Sequence, residues 1–330
     1  MKKLITYLKI HTPWYICHSR DVSYYEQNSG AFLSEKHFFN CGEICDIEIY
    51  NDGMVAFLFK FDITEKQVRE YCSIFLYFIS ICNGYNCEFS TTANIDDSIM
   101  PNFFTYAKED KTELPLLKNS KFYEIALDDI KSEFSNIINK LFSNNRMFII
   151  SLLSNYYSMV FYKDFIGNGV YKFRNIVANI ESIITVMNNK KYNKTKNENE
   201  AFLDELKNNT NISKTKLKKH LAPRQVSLKD KLKDAFEHMV KYGLLFKLNL
   251  DKECEKIANT RNFVSHLFDA EKDYLSDEEM YNYSSVFEEM FRMLFLEHCG
   301  LTPSLIQQKF LQNTPICVKF KQVFNIDKSN

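Results

Sequence analysis

Arg261-Asn262-Phe263-Val264-Ser265-His266 places three side chains suited to cutting a phosphodiester within six residues. A guanidinium can hold phosphate charge, an imidazole can move a proton near neutral pH, and the carboxamide of Asn262 can orient either. The chemistry they suit is metal-free cleavage of RNA. His266 would act as base on a ribose 2′-hydroxyl or as acid for the departing 5′-oxygen, while Arg261 stabilises charge building on the phosphoryl oxygens. One histidine does not easily do both jobs at once. Two copies of the string, brought together by a symmetric dimer, could.

The bare spacing carries little. With seven Arg and seven His in the chain, an Arg–His pair at one given spacing arises about 0.15 times by chance, and roughly 0.4 times over three neighbouring spacings. A second match exists in Arg292-Met293-Leu294-Phe295-Leu296-Glu297-His298. Requiring an Asn after the arginine cuts the chance expectation roughly tenfold, and Arg292 fails because Met293 follows it. Arg292 and His298 are therefore read as structural or surface residues. The bland alternative for Arg261 and His266 is a pair of cations closing a helix.

Helical periodicity must position the string. A helix beginning near Leu250 carries the apolar stripe Leu250, Cys254, Ile257, Ala258 and Val264. Asn262 and His266, four apart, share a face, and Arg261 falls near the stripe, where a guanidinium is costly unless paired. Further three-four spacing predicts helices near 130–143, 146–163, 173–188, 198–207 and 227–242. In the last of these Ser227 is the N-cap, Gly243 stands just past the end, and Leu228, Leu232, Ala235, Phe236, Met239 and Val240 form one face. A long final helix starts at Ser276, with acids in its first turn and the stripe Met280, Tyr283, Phe287, Met290, Phe291 and Leu294, and stops at Gly300 and Pro303. The Lys- and Asn-rich run Asn188 to Lys219 reads as an exposed, partly mobile connection between helices.

The first ~125 residues alternate differently. Ile47-Glu48-Ile49, a turn at Asp52-Gly53, and Val55, Phe57, Phe59 and Phe61 at period two predict a hairpin. Thr64 and Gln67 form a capping box, with Ile63 and Val68 as staple, for a helix running to about Asn83. Shorter strands are expected near 86–91 and 121–127. The fold class expected is α+β: a mixed, β-rich domain over 1–127 and an all-α bundle over 128–330.

Bulk properties bound the function. With 45% hydrophobic and 15% aromatic residues the chain can build a core, and 42 basic against 42 acidic residues make net charge uninformative about nucleic acid. Nine cysteines lack CxxC pairs, and a zinc site from His37, Cys41 and Cys45 is disfavoured against buried thiols, so no metal and no cofactor are expected. No signal peptide is read at the start, and the apolar stretches at 71–83 and 147–162 are too short and interrupted to span a bilayer, so a cytoplasmic protein without a membrane partner is expected.

The order of features resembles the HEPN superfamily, and most its ApeA-like anti-phage branch. The carrying segments are Ser227-Leu228-Lys229-Asp230-Lys231-Leu232, Ala258 to His266 with its Arg-polar-x3-His pattern, and the helix ending Leu296-Glu297-His298-Cys299-Gly300-Leu301. The resemblance covers about 140–312 and is weak before 125. It implies a HEPN-type helical bundle, a homodimer with a composite active site, and a metal-independent endoribonuclease with Arg261, Asn262 and His266 as catalytic residues. It also implies a phage-defence (abortive infection) or toxin role with transfer RNA among the targets; beside it, the N-terminal domain is expected to sense infection, through a phage-encoded trigger, or to restrain the bundle. An acidic residue on an earlier helix often accompanies the signature; Glu181, at the edge of the stripe Phe173, Val177, Ile180 and Ile184, is the candidate. Some relatives carry a tyrosine two residues after the histidine, where this chain has Phe268. Lys190, Lys191, Lys216, Lys218 and Lys219 are candidate RNA-backbone contacts, interrupted by acids that favour an ordinary solvated face. The competing expectation is a non-catalytic HEPN-like module acting through partner contacts.

Overall fold

The structure, a computed structural model, describes residues 5–10, 36–50, 54–83, 89–95, 125, 127–143, 146–161, 169–209, 226–266, 273–311, 314–324 and 326–328. Along the chain these form β1 (Ile5–Ile10), β2 (Lys36–Cys41), β3 (Cys45–Tyr50), β4 (Met54–Phe59), α1 (Glu65–Asn83) and β5 (Phe89–Ile95). Next come α2 (Leu127–Ile130), α3 (Phe134–Ser143), α4 (Arg146–Phe161), α5 (Gly169–Met187) and α6 (Asn189–Asn209). They are followed by α7 (Leu228–Lys241), β6 (Leu244–Phe246), α8 (Leu250–His266), α9 (Asp277–Cys299) and α10 (Pro303–Ile306). A π-helical turn (Gln307–Leu311), α11 (Thr314–Phe324) and β7 (Ile326–Lys328) complete the series. The α+β class is as expected. The chain packs as two units, Met1–Lys163 with Cys299–Asn313, and Asp164–His298 with Thr314–Asn330.

The first unit holds an antiparallel sheet in the order β2-β3-β4-β1-β5. Ile49 stands opposite Val55, which closes the expected hairpin, although Asp52 and Gly53 lie outside the described residues. Alternation puts Ile47, Ile49, Val55, Phe57 and Phe59 into the core. The α1 capping box forms as read: Gln67 N donates to Thr64 Oγ1 at 3.3 Å and Thr64 N to Gln67 Oε1 at 3.0 Å. Phe57 meets Phe75 of α1 edge-on at 5.2 Å, and Phe39 of β2 lies 4.2 Å from Phe134 of α3. Gly42 turns β2 into β3 at φ +75°, and a Cβ there would meet the Asn139 side chain at 2.8 Å, so the turn needs glycine. Helices α2 to α4 belong to this unit, so the change from strands to helices near residue 128 precedes the change of packing unit near 163.

In the second unit α7 packs on α5 and α8, and α8 packs on α5. Ser227 caps α7 by accepting from Asp230 N at 3.1 Å, and Gly243 follows at φ +97°, both as the sequence indicates. Helix α9 carries more than the one stripe expected: Val286, Phe287, Met290, Phe291 and Met293 to Leu296 are all fully buried, the mark of a core helix. Phe324 of α11 packs edge-on against Phe236 and Phe246, beside the short β6–β7 pair.

Two expectations need correction. Leu127, at the end of the strand expected near 121–127, begins a helix, and 121–124 and 126 lie outside the described residues. The run expected as a connection, with helix only over 198–207, is one continuous helix from Asn189 to Asn209; residues 210–225 lie outside the described residues. That run has neither Gly nor Pro, and its first turn is docked: Lys191 Nζ and Tyr192 OH reach the carboxylate of Asp234 at 2.7 and 2.5 Å. Among the described residues no helix is long and apolar enough to cross a membrane.

Candidate active site

Helix α8 carries the Arg-Asn-x3-His string on its last two turns. Asn249 caps the other end, accepting from Asp251 N at 3.1 Å and Lys252 N at 3.2 Å. Buried Cys254, Ile257 and Ala258 hold the helix on its neighbours. Thr260, 1% exposed, pins the end that carries the string: its hydroxyl donates to Lys256 O at 2.8 Å and accepts from Leu275 N at 2.9 Å, tying the last turns of α8 to the start of α9.

Arg261 sits beside the apolar stripe and is paired, as the cost of burying a guanidinium demands. Its Nη2 lies 3.4 Å from Glu181 Oε2 on α5, and its Nη1 donates to Asn262 Oδ1 at 3.2 Å. Its Nε is buried and has no hydrogen-bond partner among the described residues. Asn262 is exposed. His266 is the last residue of α8, one turn beyond Asn262; its side chain lies outside the described residues. The structure thus joins Arg261, Asn262 and Glu181 through their side chains, and joins His266 to them through its place on the helix.

Lys231 was missed as a functional candidate. From α7 its Nζ reaches Glu181 Oε1 at 3.0 Å, so both oxygens of one carboxylate are engaged by cations from two different helices. The only sequence signal was its place in the Ser227–Leu232 stretch; its partner lies fifty positions earlier.

The other candidates separate. Lys191 is engaged by Asp234, which is 6% exposed and also accepts from Asn188 and Tyr192. Burial and that hydrogen bond push the Tyr192 phenol up from its ordinary value. Lys190 is exposed, and Lys216, Lys218 and Lys219 lie outside the described residues. The decoy Arg292 is 3% exposed and pairs with Glu289 at 2.8 Å, in keeping with a structural role. Cys41 and Cys45 face each other across β2 and β3, both fully buried, and among the described residues no three His, Cys, Asp or Glu side chains are grouped to hold a metal. Another histidine cluster also escaped the sequence: His238 Nδ1 lies 2.6 Å from Glu297 Oε2, which also accepts from Tyr242 OH. His238 is 7% and Tyr242 0% exposed, so this cluster ties α7 to α9 rather than facing a substrate.

Comparison with known families agrees with the sequence resemblance. Residues 174–305 match the family model described as Apea-like HEPN, a range that contains Glu181, Lys231, Arg261, Asn262 and His266; no family model covers the N-terminal part. Comparisons with curated proteins and with solved structures give no match.

Proposed function

From the Apea-like HEPN character of residues 174–305, we propose that the chain is a metal-independent endoribonuclease that serves in anti-phage defence or as a toxin, cutting cellular RNA such as transfer RNA. The carrying observation is the Arg261 guanidinium, held by Asn262 and Glu181, on the same helix as His266 and five residues before it. In this reading His266 takes the proton from a ribose 2′-hydroxyl, the 2′-oxygen attacks phosphorus, and the P–O5′ bond breaks. Protonation of the 5′-oxygen then leaves a 2′,3′-cyclic phosphate and a 5′-hydroxyl. Arg261 offers its charge where the phosphoryl oxygens become more negative. Because one histidine serves base and acid poorly, two copies of the string act together in a homodimer, with a phage-encoded trigger acting through the N-terminal domain.

The ends of the products test this. Cyclic phosphate and 5′-hydroxyl ends, with full resistance of an all-2′-deoxy oligonucleotide, are expected; cleavage of that DNA analogue would contradict 2′-oxygen attack. A second reading, a HEPN-like interaction module without catalysis, draws on the same ion pair, since Arg261 is already paired within the chain by Glu181. It requires that Arg261→Ala and His266→Ala proteins keep their biological effect.

A further inference from the structure

We propose that Lys231 and Arg261 form a two-cation cradle for one phosphodiester of the RNA, and that Glu181 occupies this cradle in the free chain as a stand-in for the phosphate. The proposal rests on the ribonuclease reading for its ligand and on the geometry of three helices for its site. Helices α5, α7 and α8 pack on one another, so the three groups are fixed by core contacts rather than by loops. Lys231 Nζ is 3.0 Å from one Glu181 oxygen and Arg261 Nη2 3.4 Å from the other. A phosphodiester presents the same feature, two equivalent anionic oxygens on one atom, to the same pair of donors.

Local charge separates this pair from its neighbours. On α7, Lys229 bridges Asp251 and Glu255 at 2.7 Å each, and Lys233 also pairs with Asp251, so two lysines meet two carboxylates. Lys231 and Arg261 share one, and among the described residues neither pairs with another carboxylate. Among the described residues the cradle therefore sets two cations against one carboxylate, with side chains only 16% and 24% exposed, and the buried Nε–H of Arg261 has no partner there. A phosphate entering displaces Glu181, which swings aside while the two cations stay.

The roles of the two residues therefore oppose each other, and that separates a ligand site from a merely structural pair. The experiment measures binding of a 2′-O-methyl oligoribonucleotide, which is not cleaved, by fluorescence anisotropy across a salt series, with folding checked by circular dichroism. Glu181→Gln removes the competitor without removing a cation and should tighten binding at least about threefold, the scale of a partly exposed ion pair. Lys231→Gln should weaken binding and reduce the slope of log K against log salt by about 0.7, one single-strand phosphate contact. Lys231→Arg should keep the slope, and Lys229→Gln should behave as the parent chain.

Weaker or unchanged binding by Glu181→Gln, or a Lys231→Gln slope equal to that of Lys229→Gln, overturns the cradle. Should Lys231→Gln fail to fold, the Glu181→Gln result decides alone. Inorganic phosphate against chloride at matched ionic strength, read as a melting-temperature rise, separates this proposal from the ribonuclease reading. A rise that grows in Glu181→Gln and vanishes in Lys231→Gln, without RNA binding, keeps the cradle and removes RNA as its ligand. No rise and no RNA binding removes both.

Discussion

Arg261 Nη2 stands 3.4 Å from Glu181 Oε2, so the string at the end of α8 is anchored to α5 and does not hang free from a helix end. This pairing answers the energetic objection to an arginine beside an apolar stripe.

Replacing Arg261 by Ala leaves Glu181 paired with Lys231, so little stability should be lost. The partners are about a quarter exposed, and the expected change is within about 1 kcal/mol. Cleavage should fall by about 10²-fold or more, because the lost group acts on transition-state charge. Chemical denaturation beside cleavage rates checks both; parallel collapse of the two would mean that the residue acts through folding.

Thr260→Val keeps the shape of the side chain but strips the acceptor from Leu275 N–H in a buried setting. The expected loss is about 1–3 kcal/mol, measurable in urea, because the donor is left without a partner. A silent substitution would show that the junction of α8 and α9 is held by other contacts.

Burial pushes the Glu297 carboxyl up, but hydrogen bonds from His238 and Tyr242 outweigh it and hold the group below its ordinary value of 4.5. A depressed folded-state value means stability that is present above 4.5 and lost as pH falls through the lowered value. Glu297→Gln should therefore melt below the parent chain at pH 6 to 7, with the gap narrowing under acid. A gap constant with pH would remove the ionised carboxylate as its source.

Burial also pushes the thiols of Cys41, Cys72 and Cys254 up to about 12, and Cys45 higher still. With almost no thiolate at pH 8, these four should resist alkylation in the native protein and react promptly in denaturant, as peptide mass spectrometry would show. Fast native labelling of any of them would contradict its burial.

What the sequence discloses is local. Ser227 and Gly243 bound α7, Thr64 and Gln67 open α1, and the spacing of Val55, Phe57 and Phe59 sets their strand, because each signal lies within a few residues of what it controls. What it hides is set by distant partners. β1 lies between β4 and β5 in the sheet, and its neighbours are some fifty and ninety positions away. The helix from Asn189 looks like a solvated link until Asp234 is seen to hold Lys191 and Tyr192. Of the candidate residues, Arg261, Asn262 and His266 were legible because they share one helix and one spacing. Glu181 was legible only as an acid at the border of a stripe, and Lys231 not at all, since its meaning comes from a carboxylate on another helix.

The most direct test of the central claim is the rate of cleavage of a cellular RNA pool by purified chain in excess chelator, for the parent and for His266→Ala. Cleavage by the parent that the chelator leaves untouched, and that falls by about 10²-fold or more in His266→Ala, is the result expected. Equal cleavage by the two proteins would contradict it.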